Sequence, residues 1–204
     1  MTADLAKKIS SVFHPISYPL VTLLLYFILI PRYFNWSVKL VIISIVILGS
    51  VIFPILLLYY LKNIGFIETI NMPSPKERKL PLIVIIMIAL MMGRVFYNMQ
   101  ITEDISFYFF AGAVSLSLAY FLLWMSIKIS LHAMGLGSMI GFVIYLSMYY
   151  QLNFLLTISV LFIIFGIVGK ARVDLKSHNN FEVLTGLILG VFLQIVIPLV
   201  YQKI

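Results

Sequence analysis

Arg172, His178 and Glu182 stand with five residues between the first two and three between the last two, inside the segment ARVDLKSHNNFEVLTG of residues 171–186. A guanidinium grips an anion through paired N–H donors, an imidazole attacks or shuttles protons, and a carboxylate fixes which ring nitrogen carries the proton. A second imidazole, His132, follows Ser130 by two positions. Together these side chains suit an anionic, phosphate-like group. Ionisable groups in or beside a bilayer are costly unless they are paired or line a wet cavity, so such a cluster in an apolar chain reads as a working site.

The apolar character is pronounced. Of 204 residues, 63% are hydrophobic and 10% charged, and the mean hydropathy is +1.12, against a globular norm of about 45–50% apolar and about 25% charged. The chain is therefore expected to be an integral membrane protein of one domain, 1–204, with no sizeable soluble part. It contains no cysteine, which excludes disulfides, thiolate nucleophiles and Cys-bound metal. The net charge of +7 fits a phosphate site or attraction to anionic headgroups, and equally the ordinary basic bias of cytoplasmic loops. Lys7 and Lys8 precede an apolar stretch as in a signal peptide, but His14 and Pro15 interrupt it and no small-residue cleavage pattern follows, so a retained first span is expected.

Seven apolar runs bounded by polar or turn residues predict membrane helices near 15–30, 38–60, 82–97, 105–127, 133–150, 154–168 and 183–200. A single helix over 131–168 would be roughly 55 Å long against a hydrocarbon core near 30 Å, so the chain must turn around residues 151–153. Each crossing switches sides, and backbone hydrogen bonding in lipid forces the spans to be helical. The polar segments at 62–81, 128–132 and 169–182 follow two, four and six crossings, so all three are expected on one membrane face. That face would gather Lys76, Arg78 and Lys79, then Ser130 and His132, then Arg172, His178 and Glu182. The positive-inside rule explains some of these cations; it does not explain the histidines. The opposite face offers Arg32, Lys39, Glu103, Asp104 and Lys203, with little that looks reactive.

Arg172, His178, Glu182 and Gly186 resemble the third signature of the type 2 phosphatidic acid phosphatase superfamily, S-R-x5-H-x3-D, and Ser130-Leu131-His132 resembles the second, P-S-G-H, two crossings upstream. Ala171 stands where that family has serine, Glu182 where it has aspartate, and Ile129 and Leu131 where it has proline and glycine. The first signature, K-x6-R-P, is not met; counting back from Pro81 places Leu80 at the arginine and Pro73 at the lysine. The basic stretch from Lys76 to Lys79 ahead of Pro81 is expected to supply those cations in a shifted arrangement, as in divergent short bacterial members.

The resemblance implies an all-α bundle of six or seven transmembrane helices with the haloperoxidase-like core of that superfamily. It also implies a metal-independent lipid phosphatase in a bacterial inner membrane. His178 would attack phosphorus to form a phosphohistidine, Glu182 would hold its other ring nitrogen, and His132 would protonate the leaving alkoxide and then activate water. Arg172 would clamp the phosphate with Lys76, Arg78 or Lys79, and Ser130 would complete the cradle. Ser130 and His132 lie about 200° apart around a helix, so both face a ligand only at a helix N-terminus, with Ser130 as its cap.

No cofactor or metal is implied, and the partners expected are a phosphorylated lipid and the bilayer, not nucleic acid. Phosphatidic acid, phosphatidylglycerol phosphate, a polyprenyl diphosphate and a lipid A phosphate are all open as substrates. A rival reading is a relative that binds or transports such a lipid without turnover; a blander one is a structural membrane subunit. Gly137 and Gly141 read as close packing between helices. Lys128, Lys170 and Lys176 read as anchors that reach to headgroups, as do His14, Arg94, Tyr33, Trp36, Tyr149 and Tyr150 at the interfaces. With the site's own cations set aside, Lys7, Lys8 and Lys62 stand against Arg32, Lys39 and Lys203, which leaves the orientation open.

Overall fold

Helix accounts for all the regular structure in the computed structural model, which describes residues 1–32, 34–69, 75–99 and 103–201, with the side chains of Pro75 and Lys76 left out. The order is α1 (Ala3–Val12), a 3-10 turn (Pro15–Ser17), α2 (Tyr18–Leu29), α3 (Trp36–Val46), a π-helical segment (Ile47–Ile52), α4 (Phe53–Asn63), α5 (Pro75–Asn98), α6 (Glu103–Trp124), α7 (Leu131–Tyr150), α8 (Leu155–Asp174) and α9 (Asn180–Tyr201). Seven helical stretches among the described residues are long and apolar enough to cross a membrane: Ala3–Leu29, Trp36–Asn63, Glu77–Asn98, Glu103–Trp124, Leu131–Tyr150, Leu155–Asp174 and Asn180–Tyr201. All seven expected runs are accounted for, and the chain is a multi-pass membrane protein by length and composition.

Three boundaries differ from the apolar runs, each for a local reason. Ahead of the expected start at Pro15 lies a separate helix, α1. It ends at Phe13 because His14 is extended, with ψ 138°, as a residue before proline prefers. On the sixth span, helix continues past Val168 to Asp174, so Arg172 lies in the last turn of α8 rather than in a loop. The basic stretch before Pro81 is helical too, with Pro81 inside α5. Hydropathy stops at the first cations, whereas Lys and Arg are good helix formers.

Packing groups the chain into two compact units: Met1–Tyr18 with Lys128–Ile204, and Pro19–Ile127. In the second unit, Gly93 lies against Phe110, and Phe96 stacks on Phe109 at 5.6 Å, joining α5 to α6. Thr22 donates to the Tyr108 hydroxyl at 3.3 Å and Tyr26 donates to the Asp104 carboxylate at 3.1 Å, one helical turn apart on both α2 and α6. Asp104 is buried. The π-helical segment sits where Pro54 removes a donor, and there Ser50 bonds back to the Val46 carbonyl at 2.7 Å. Arg94 lies over the Tyr97 ring at 5.9 Å. Trp36, Tyr149 and Tyr150 are at helix ends, as anchors would be. Tyr33 and Lys203 lie outside the described residues.

The first unit is built around α7. Some 72% of this span is buried, against at most 50% of any other, which makes it the central helix of its unit. Its small residues allow this. A Cβ on Gly137 would come within 2.5 Å of the Leu187 carbonyl, and one on Gly141 within 2.5 Å of the Val191 carbonyl. Facing them, Gly186 abuts the Ser130 carbonyl and Gly190 abuts Met134 and Ser138. Residues pair 130 with 182, 134 with 186 and 141 with 191, so α7 and α9 run parallel with their backbones in contact through small-xxx-small seams on both helices. The turn at residues 151–153 is present, with Gln151 left-handed at φ 54° and its N–H bonded to Ser147. A parallel pair brings both helix N-termini to one end, and α8 returns the chain to that end.

Candidate functional site

Three local devices at that end hold the side chains singled out above. The first closes α8. Lys176 is left-handed, at φ 53°. Its N–H bonds to the Val173 carbonyl at 2.9 Å, and the Ser177 N–H bonds to the Arg172 carbonyl at 3.1 Å. This is the paired pattern of a Schellman motif with lysine in the place glycine usually takes. The His178 N–H also points to the Arg172 carbonyl, at 3.4 Å, so the turn folds His178 back over the helix that carries Arg172.

The second device opens α9. The Asn179 side chain accepts the Glu182 N–H at 2.8 Å, and its amide approaches Glu182 Oε1 at 3.5 Å. This is a capping box in outline, Asn179-x-x-Glu182. With the helix begun at Asn180, His178 and Glu182 are one turn apart, and His178 Nδ1 lies 2.6 Å from Glu182 Oε2. A carboxylate accepts, so Nδ1 carries the proton and the ring's lone pair is on Nε2, the nitrogen a nucleophilic role requires. The imidazole side chain is 3% exposed and the carboxylate 18%, so water screens this pair little.

The third device opens α7. Ser130 is its cap, accepting the Ala133 N–H at 3.4 Å, while the Ser130 N–H bonds to the Glu182 carbonyl at 3.2 Å. The start of α7 is thereby tied to the start of α9. Ser130 is 0% exposed. The cap expected at Ser130 is thus present, buried and with its hydroxyl turned to the backbone.

His132 is directed at α1. Its Nε2 lies 3.2 Å from the Ser10 carbonyl and 3.3 Å from the Ser10 hydroxyl. The guanidinium of Arg172 donates from Nη1 to that same hydroxyl at 2.7 Å. Ser10 of α1 thus joins two candidate site residues 122 and 162 positions away. His14, expected to join the site or, in the favoured reading, to mark the interface, packs edge-on against His132 with ring centroids 5.8 Å apart. The His14 Nδ1 accepts the Ile16 N–H at 3.4 Å, which caps the turn that follows. Arg172, His14 and His178 all lie within electrostatic range of the His132 ring. Beneath them the Tyr18 ring fills the space opposite Gly135, and its hydroxyl donates to the Phe13 carbonyl at 2.9 Å.

His132, Arg172, His178, Glu182 and Ser130 are therefore brought together at one end of the first unit. Lys76, Arg78 and Lys79 are in the first turns of α5, in the Pro19–Ile127 unit, and the Lys76 side chain lies outside the described residues. Lys170 pairs with Asp174 at 3.5 Å on an exposed helix face. Sequence reasoning missed Ser10 and Asn179. The N-x-x-E pattern before an apolar run carried the Asn179 signal; nothing in α1 marked Ser10.

The cluster comprises three imidazoles, a guanidinium, a carboxylate and hydroxyls within one shell. It can grip an oxyanion, present a ring nitrogen whose tautomer is fixed, and move protons through a second ring. Comparison of the chain with protein-family models, curated proteins and solved structures finds no match.

Proposed function

We propose that this protein is a membrane-embedded, metal-independent phosphatase acting on a lipid phosphomonoester or diphosphate, with the phosphatase core that its sequence resembles. The observation that carries the reading is the contact of His178 Nδ1 with Glu182 at 2.6 Å, in a cluster with Arg172 and His132. An imidazole oriented by a carboxylate beside a guanidinium and a second imidazole has the parts that phosphoryl transfer through a covalent intermediate demands.

In the proposed cycle His178 Nε2 attacks phosphorus in line with the ester oxygen. The N–P bond forms as the P–O bond to the lipid breaks, and His132 gives a proton to the departing alkoxide. Water then attacks the phosphohistidine, His132 takes back a proton, and inorganic phosphate leaves. Glu182 stabilises the positive charge that His178 gains, and Arg172 that of the phosphoryl oxygens, negative throughout. The lipid tail stays in the bilayer, and a bacterial inner membrane is the proposed setting.

The test is phosphate release by the purified protein from vesicles of a neutral phospholipid doped in turn with phosphatidic acid, phosphatidylglycerol phosphate, a polyprenyl diphosphate or a lipid A phosphate. At least one should be hydrolysed, orthovanadate should inhibit, and His178→Ala and His132→Ala should each abolish turnover. Retention of a phosphorylated lipid with no turnover by the unmutated protein would transfer the reading to a binding or transport protein, the reading favoured by the substituted signature positions.

A further inference from the structure

Arg172 and His132 converge on one oxygen, the hydroxyl of Ser10, at 2.7 and 3.3 Å. A guanidinium donor and an imidazole nitrogen from different helices, both within reach of a single buried oxygen, form the arrangement that a phosphoryl oxygen would need. In this chain the oxygen belongs to the protein itself. Ser10 is 8% exposed, and its carbonyl also accepts from His132 Nε2 at 3.2 Å, so both groups are engaged by one residue of α1.

We infer that Ser10 stands in for a phosphate oxygen and that α1 is a gate, displaced when a phosphorylated headgroup takes Arg172 and His132. The inference rests on the phosphatase reading above and adds its regulation. Three further observations support displacement. Within α1 only Ala6 and Ser10 are buried, so that, besides the Ser10 contacts, the helix is held chiefly by the ion pair of the Met1 ammonium with Asp174 at 3.1 Å. The joint after it, Phe13 and His14, is non-helical and leads into Pro15, which provides a pivot between α1 and α2. The outer side of α1 carries Lys7 and Lys8 in the open together with exposed Leu5 and Val12, a composition suited to the headgroup layer and attracted to anionic lipid once the helix is released.

The exchange is favourable in direction. Ser10 offers neutral oxygens, so its bond from Arg172 is charge-assisted from the donor side alone, whereas a phosphoryl oxygen is charged and can take the guanidinium in a paired, doubly charged contact. The substrate therefore displaces the serine, and a neutral lipid headgroup does not.

The experiment uses the full chain in detergent micelles, with orthovanadate as the probe. Ser10→Ala removes the competing hydroxyl and leaves the backbone carbonyl. Vanadate should then bind about ten- to 150-fold more tightly, the worth of one lost hydrogen bond to a charged group, read by thermal shift and by inhibition of phosphate release. Weaker or unchanged binding in Ser10→Ala, with vanadate still bound by the unmutated chain, overturns the gate and leaves the phosphatase reading standing. Failure of both proteins to bind vanadate or release phosphate sinks the two together. A second measurement keeps Ser10 in place. Ala6, fully buried on the same face of α1, is replaced as Ala6→Cys in a chain with no other cysteine. Its alkylation should be slow without vanadate and several-fold faster at saturation; an unaltered rate refutes displacement.

Discussion

Replacing Glu182 with glutamine tests the proposed chemistry most sharply, because the change removes a charge and almost nothing else. The amide keeps the shape of the side chain, and the bond that starts α9 runs from the Glu182 backbone N–H to Asn179, so the helix survives. What goes is the charge on an acceptor 2.6 Å from His178 Nδ1, in a pair whose side chains are 3% and 18% exposed. Hydrogen bonds to charged groups contribute about 1.5–3 kcal/mol, and shielding from water places this one in the upper part, about 2–3 kcal/mol. That energy is felt as the imidazole becomes cationic on attacking phosphorus, so it falls on the chemical step. At about 1.36 kcal/mol per tenfold, kcat should drop by about 30- to 150-fold. KM should hold, since on this mechanism Glu182 does not touch the phosphate. Glu182→Asp keeps the charge but falls short by about one carbon–carbon bond, ~1.5 Å, and should lie between glutamine and the natural residue. The assay is steady-state phosphate release on the hydrolysed lipid, with thermal unfolding as the control for folding. Full kcat in Glu182→Gln beside a dead His178→Ala would refute the orienting role, as would a loss confined to KM.

Four other outcomes are expected. Gly137→Ala places a methyl against the Leu187 backbone and should cost about 1–3 kcal/mol, seen as a lower unfolding midpoint in detergent, whereas Gly166→Ala, with nothing within 4 Å of the new Cβ, should leave the midpoint near that of the parent. Lys176→Gly should stabilise the α8–α9 turn by up to about 1 kcal/mol, and Lys176→Ile destabilise it, because position 176 is left-handed; equal midpoints for the two would contradict that geometry. Arg172→Lys keeps the charge and loses the fork, so vanadate inhibition should weaken about tenfold or more, while unchanged inhibition would separate Arg172 from the oxyanion. Single cysteines at the exposed positions Asn153 and Ser177 should react with an impermeant reagent from opposite sides of sealed vesicles, and labelling from the same side would deny that α8 crosses.

The bundle was legible in the sequence because burial in lipid demands long apolar runs, and those runs mark helices whatever packs against them. The contact of His178 with Glu182 was legible too, since a spacing of four on a helix that begins at Asn180 leaves it little choice. The ends of helices were not. Arg172 was expected in a loop, yet α8 extends through Lys170 and Arg172 to Asp174, because hydropathy reports the hydrocarbon edge and not the last hydrogen-bonded turn. Ser130 was legible as a cap and illegible as a buried one, since its burial depends on Gly186 of another helix. Ser10 could not be found at all: serine in a short basic helix is commonplace, and its meaning arises only from partners 122 and 162 residues distant.

Those partners divide the cluster into halves held with different firmness. His178 and Glu182 are locked by the Schellman turn, the Asn179 cap and a seam in which the α7 and α9 backbones touch at Gly137 and Gly190. None of that can shift without breaking backbone packing. Arg172 and His132 are instead joined through one hydroxyl on a helix with two buried residues. On the phosphatase reading this division has a consequence for substrate choice. The nucleophile is positioned in advance at no cost to the bound lipid, while the grip on phosphate forms only if the headgroup outcompetes Ser10. A monoester with two negative charges can do so more readily than a singly charged diester, so the same contact that restrains the site would bias it against the abundant diester phospholipids of its own membrane.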